Sequence, residues 1–247
     1  MITERHYLKW YRPDTEVRIL HTSDNHLDNL STCVALSRVV DRANSLRVDL
    51  VLLAGDFFDN HRVRNEVVWE TIAQLGRLEM DVVLVPGNHD QLDAVSIYHN
   101  LGFRKLPENV HLVRRPEGET LVFDDLKVRV WGRPTYYHDL GFRPLKGSPP
   151  RNGPWWHIGV AHGMYVPTGQ ETDRSSPIYA DDIEATGYDY IALGHSDLFS
   201  DLSQATVRAA YSGAPILNSS GTELGSVALV TLHPDIGVQI QKVPVVE

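Results

Sequence analysis

Leu50-Val51-Leu52-Leu53-Ala54-Gly55-Asp56-Phe57-Phe58-Asp59 is the stretch of this 247-residue chain on which the fold turns. Five apolar residues in a row suit a strand covered on both faces, as strands of a parallel sheet flanked by helices are. The glycine and carboxylates that follow lie at the strand's carboxyl end, where open α/β sheets form their ligand sites.

The same arrangement recurs on either side. Val17 to Leu20 is a short β-rich run, followed by polar Asp24 to Asp28 and a helical pattern of Leu30, Val34, Leu36, Val39, Val40 and Ala43. A second helix is expected over Val67 to Leu78. A third copy runs from Val82 to Val85 through Pro86-Gly87-Asn88-His89-Asp90 into a weaker helix from Leu92 to His99. Beyond Val110 the rhythm shortens, with strands expected at Val110 to Val113, Thr120 to Phe123 and Lys127 to Trp131. Gly141 to Pro154, rich in proline and glycine, reads as an exposed loop. His157 to Ala161 and Tyr190 to Leu193 are further buried strands, separated by a Met164 to Ser176 loop and an Ile178 to Thr186 helix. Thr206 to Tyr211, Ser226 to Leu232 and Gly237 to Val243 complete the strand set. This reads as one domain over residues 17–247, preceded by an extension of residues 1–16.

A hydrophobic content of 42% and a charged content of 22% are ordinary for a globular chain. No apolar run approaches the roughly 20 residues of a membrane span, and the first residues are not signal-like. The expectation is a cytoplasmic protein with no membrane partner. Cys33 is the single cysteine, which excludes an intrachain disulfide framework and a thiolate zinc site; within the first helix it reads as a buried, inert thiol. The net charge of -9 argues against general charge-driven binding to nucleic acid, though only weakly, because bound metals cancel acidic groups.

Five polar clusters each follow an apolar run: Asp24-Asn25-His26, Gly55-Asp56, Gly87-Asn88-His89-Asp90, His162-Gly163 and Gly194-His195. Any one of them is weak evidence. Asp-x-His is common by chance, Gly-Asp can be a plain turn, and Gly-Asn-His-Asp can cap a helix. Their joint occurrence, each after a buried strand, points to one dinuclear metal site. Two ions roughly 3.5 to 4 Å apart acidify a bridging water for in-line attack and clamp phosphoryl oxygens. Asp56 is the candidate bridge, Asp24 and His26 ligands of the first ion, and Asn88 (through its amide oxygen), His162 and His195 ligands of the second. His89 is placed as cationic donor or general acid to the leaving group, with Asp90 orienting it. Asp59 either shapes the loop or touches the site. His6, His21, His61, His99, His111, His138, His157 and His233 are read as surface or core residues.

These motifs resemble the calcineurin-like metallophosphoesterase superfamily, and within it the nuclease subunit of the SbcCD type. The segments that carry the likeness are Ile19 to Leu27, Leu53 to Asp59, Val85 to Asp90, Tyr188 to His195 and Tyr211-Ser212-Gly213-Ala214-Pro215. The resemblance implies an α/β fold, a four-layer α/β/β/α sandwich of two mixed β-sheets. It implies the metal and catalytic roles just given, and two divalent ions, with Mn²⁺ favoured over Mg²⁺, Zn²⁺ or Fe. In this family a Gly-His-x-His segment supplies the last ligand of the first ion, whereas this chain has Asp197, an oxygen donor that suits Mn²⁺ or Mg²⁺. The expectation is that Asp197 serves that ion directly or through water. After Pro215 only one more hairpin is expected, which argues against a DNA-capping domain and an ATPase-docking segment.

The function implied is phosphodiester hydrolysis, on nucleic acid or nucleotides. Arg62, Arg64, Arg104, Lys105, Arg143, Lys146, Arg151 and Arg174 could contact a nucleic-acid backbone, and Tyr136, Tyr137, Trp155, Trp156 and Tyr165 could stack on bases; singly, each is as readily an ordinary surface or core residue. A phosphatase or diesterase for small nucleotides is the alternative within the enzyme class. A scaffold that has lost its chemistry is the alternative outside it.

Overall fold

The computed structural model describes residues 15–137, 139–218 and 220–246. Residues 1–14, most of the expected extension, and His138 lie outside the described residues.

Two six-stranded sheets face one another. The first runs β14 (Gly237–Pro244), β13 (Ser226–His233), β1 (Val17–Thr22), β2 (Leu50–Ala54), β3 (Asp81–Val85) and β4 (Val110–Leu112). Strands β1 to β4 are mutually parallel, and β13 pairs antiparallel with both β1 and β14. The second runs β11 (Phe199–Asp201), β12 (Arg208–Ser212), β10 (Tyr190–Gly194), β7 (Trp156–His162), β6 (Val128–Gly132) and β5 (Glu119–Phe123). Its four inner strands are parallel and its two edges antiparallel.

Alternation explains the continuous apolar runs. In β2, Leu50, Leu52 and Ala54 join the core between the sheets, with Ile19, Val85, Val130, Ile158 and Tyr190, while Val51 and Leu53 face the helices. That second face is covered by α1 (Leu30–Leu46) and α2 (Asn65–Leu75); α3 (Ala180–Thr186) covers the outer face of the second sheet, its Ile183 in one core cluster with Ile191 and Tyr211. The layers are therefore α/β/β/α.

Helix α1 begins where Asn29 accepts from the backbone N–H groups of Ser31 and Thr32 while Thr32 Oγ1 accepts from the backbone of Asn29, a reciprocal cap. Its buried face is Thr32, Cys33, Ala35, Leu36, Val39, Val40 and Ala43, whereas Leu30 and Val34 are exposed. Cys33 is buried, its Sγ 3.8 Å from Thr71 Oγ1.

Three expectations need correction. Leu92 to His99 is not an α-helix: 3-10 turns form at Ile97–His99 and Leu101–Lys105 instead. The side chains of Asp93, Ser96 and Asn100 take the backbone N–H groups of Val95, Tyr98 and Gly102, which competes with helical bonding. The expected 164–176 loop opens with β8 (Met164–Val166), which pairs with β9 (Pro177–Tyr179), the segment read as the start of a helix. Trp156 packs fully buried between the sheets and cannot stack on a base.

Candidate metal centre

Strands β1, β2, β3, β7 and β10 end at one edge of the sandwich, and backbone bonds stitch their exits together. The N–H of Asp24 donates to Gly55 O at 3.0 Å, and that of His26 to Asp56 O at 3.0 Å. His162 Nδ1 donates to Ala54 O at 2.9 Å, which carries a side chain of the second sheet onto the first. The approach is close enough that a Cβ on Gly55, itself at φ 84°, would run into the His162 ring, and one on Gly87 would strike the Asp56 carboxylate. Asp24, Asp56 and His26 hold φ of 53°, 49° and 44°, and His195 116°; such backbone costs about 1–3 kcal/mol per residue.

Asp24, His26 and Asp56 bring ligand atoms within 4.8 Å of one another. On the other side of Asp56, His162 Nε2 lies 3.1 Å from Asp56 Oδ2 and 3.1 Å from Asn88 Oδ1. The His195 ring stands edge-on to His162 at 5.4 Å, and the His195 N–H donates to Asp24 Oδ2 at 3.0 Å. Six of the seven expected ligands thus converge. The seventh, Asp197, is exposed in the turn between β10 and β11, and its carboxylate joins neither acidic-imidazole cluster among the described residues.

Burial and charge act strongly here. Asp24, Asp56 and His162 are each 3% exposed or less. Burial alone would raise Asp56, but the charge and hydrogen bond of His162 hold it well below the usual carboxylate range. Burial would lower His162, yet Asp56 and Asp24 push it up to about 10. Asp24 is raised, by burial first and also by Asp56. Partial burial and the charge on His162 lower His195 to about 4, which leaves it neutral and able to bind a cation. Two buried carboxylates, an amide oxygen and three imidazoles around one spot form a cation-seeking donor set that fits a pair of divalent ions.

His89 is exposed at the rim. Its N–H donates to Asp56 Oδ1 at 2.8 Å, and its Nδ1 donates to Asp59 O at 2.9 Å. The Asp59 carboxylate also lies 3.2 Å from His26 Nδ1, so Asp59 holds the Nδ1 atoms of both histidines, one through its side chain and one through its backbone, and engages neither Nε2. Asp90 has other partners. Its carboxylate is buried and accepts from the backbone N–H groups of Gly87, Phe57 and Phe58 and from the Tyr98 hydroxyl, so it braces the loop and does not orient His89. Adjacency in sequence suggested Asp90 for that role; the group that takes it is a backbone carbonyl, at Asp59, which no residue type announces.

Four of the eight expected nucleic-acid cations already have partners within the fold. Arg64 meets Glu66, Arg143 meets Asp182, Arg151 meets Asp189, and Lys105 lies over Trp69. Trp155 is flanked by Lys127 and Arg129. Arg174, exposed in the loop before β9, is close enough for its charge to help lower His195.

Comparison with known proteins agrees with this geometry. Residues 17–213 match the family model of the calcineurin-like phosphoesterases. The chain is 26% identical over 211 residues to the uncharacterized metallophosphoesterase YhaO of Bacillus subtilis, covering 73% of this chain and 48% of that one. It is 24% identical over 214 residues to the DNA double-strand break repair protein Mre11 of Methanopyrus kandleri, covering 72% and 44%. The chain therefore spans about half the length of these relatives. Among solved structures, TT1561 of Thermus thermophilus superposes with a TM-score of 0.61 at 15% identity, over 94% of this chain and 100% of that one. The purple acid phosphatase PPD1 of yellow lupin gives 0.57 at 13%, over 93% and 52%. With a family match running from β1 past the end of β12, over a fold that gathers acidic, amide and imidazole side chains at five strand ends, the chain belongs to the calcineurin-like phosphoesterase family.

Proposed function

We propose that this chain hydrolyses phosphodiesters of nucleic acid or nucleotides with two divalent ions, Mn²⁺ favoured, held by Asp24, His26 and Asp56 on one side and by Asp56, Asn88, His162 and His195 on the other. The observation that carries the reading is the convergence of these six side chains beneath an exposed, oriented His89. When bound, the ions supply Lewis acidity to the phosphoryl oxygens and lower the pKa of water. Asp197, whose carboxylate lies outside these clusters, would not be among the residues that hold the ions directly.

The chain's own groups complete the chemistry. Asp59 fixes Nδ1–H on His89, so a protonated His89 presents Nε2–H to the leaving-group oxygen as general acid. Arg174, an exposed cation whose charge is felt at His195, would meet a substrate phosphate. The name of the Mre11 relative supports a nucleic-acid substrate. The internally paired arginines favour a second reading, a diesterase or phosphatase for small nucleotides, because they leave few cations for a long backbone.

The test is hydrolysis of bis-p-nitrophenyl phosphate, p-nitrophenyl phosphate and single-stranded DNA with Mn²⁺. His89→Ala should lower turnover on the preferred substrate about 10²- to 10⁴-fold. No turnover of any substrate, or turnover indifferent to His89→Ala, would sink the catalytic assignment. Preference for p-nitrophenyl phosphate would select the monoester reading.

A further inference from the structure

Tyr211 and Ser212 are consecutive at the end of β12, and consecutive strand residues point to opposite faces. Tyr211 belongs to the outer core beside α3. Its hydroxyl donates to Gly163 O at 2.7 Å and accepts from the Tyr165 N–H at 2.7 Å, enclosing the turn that follows His162. Ser212 is fully buried, and its hydroxyl proton has two acceptors in reach, Ser23 Oγ at 3.0 Å and Gly213 O at 2.9 Å. Ser23 in turn donates to Asp24 Oδ2. One dipeptide therefore grips the chain beside a ligand on each side of Asp56, His162 in the second sheet and Asp24 in the first.

We propose that the Tyr211–Ser212 step is a brace that fixes the spacing of the two halves of the metal centre, with Tyr211 positioning His162 and Ser212, through Ser23, positioning Asp24. This rests on the two-ion reading of that centre. Neither residue carries a free charge or faces the rim, so both act through the ligands they hold. Their hydroxyls are not needed merely to fill space, since Phe and Ala would leave the strand pairing of β12 with β10 and β11 intact. Removing the Tyr211 hydroxyl would strip a partner from the Gly163 carbonyl and the Tyr165 N–H, and the turn could then shift. Outer partners of metal ligands typically contribute about 10- to 100-fold in metal affinity.

The experiment is stepwise Mn²⁺ titration by calorimetry, with electron paramagnetic resonance of the loaded protein and thermal unfolding in chelator, on the wild type, Tyr211→Phe, Ser212→Ala, Ser212→Thr and the double variant Tyr211→Phe/Ser212→Ala. The expected result is that Tyr211→Phe weakens one Mn²⁺ step about tenfold and Ser212→Ala the other. The double variant should weaken both and lose the spin-coupled signal of paired ions, while unfolding in chelator changes little. Ser212→Thr, which keeps the hydroxyl, should bind as the wild type does. A wild type that takes up no Mn²⁺ would remove the two-ion reading itself. If the wild type binds two ions and the variants bind them identically, or both variants weaken the same step, the brace is overturned and the centre stands. It is overturned equally if affinity falls only in proportion to stability in chelator.

Discussion

At the scale of single residues, the side chains that converge at the candidate metal centre were legible because each announces itself by type and by its place after an apolar run. Asp24, His26, Asp56, Asn88, His162 and His195 required no knowledge of packing. What sequence could not supply is direction. Asp90, next to His89, turns inward to four hydrogen-bond donors, and Asp59, undecided from sequence, turns toward two histidines. Asp197 shows the same limit: its position suggested a ligand, yet its carboxylate is exposed and outside the clusters. Asp197→Ala should accordingly retain both ions, read as bound Mn²⁺ per chain after gel filtration. Loss of one ion would make Asp197 a direct ligand after all.

At the scale of elements, α1 starts three residues after Leu27, so its cap follows directly on the loop that carries Asp24 and His26. Asn29→Ala should destabilise the chain by about 1 kcal/mol, the usual contribution of a side-chain N-cap, as measured by urea unfolding in chelator. A loss well below that would show that Thr32 and water replace it. The parallel strands were readable because burial on two faces leaves unbroken apolar blocks. The face of α1 was misjudged at Leu30 and Val34, because small residues, Thr32, Cys33 and Ala35, form the side that the rest of the fold covers. Strands β8, β9 and β11 span three residues each, too few to show a period.

At the scale of the whole molecule, the two sheets are joined within their apolar interior by a polar contact, His21 Nδ1 with the Tyr190 hydroxyl at 2.8 Å. Burial lowers His21 to about 3, against an upward pull from the backbone at Leu193. In the unfolded chain it takes a proton near its ordinary 6.5. Its neutral form therefore supports the fold in full above pH 6.5, and that support is lost as pH falls from 6.5 toward 3. His21→Gln, which hydrogen-bonds without ionising, should flatten the decline of unfolding free energy over this window, measured in chelator by denaturant titration at stepped pH. An unchanged slope would show that the acid sensitivity lies in other groups.

The left-handed and extended-positive backbone described at the metal centre has a consequence for how such proteins can be found. Asp24, His26, Asp56 and His195 stand with Arg47, Lys127, Ser176 and Ala205 as the non-glycine residues of positive φ among the described residues. Half of these conformational outliers fall in one place, at the strand exits. A bare main-chain trace, with every side chain erased, would already mark the corner of this molecule where the candidate ligands meet, because local geometry there departs from what ordinary residues prefer.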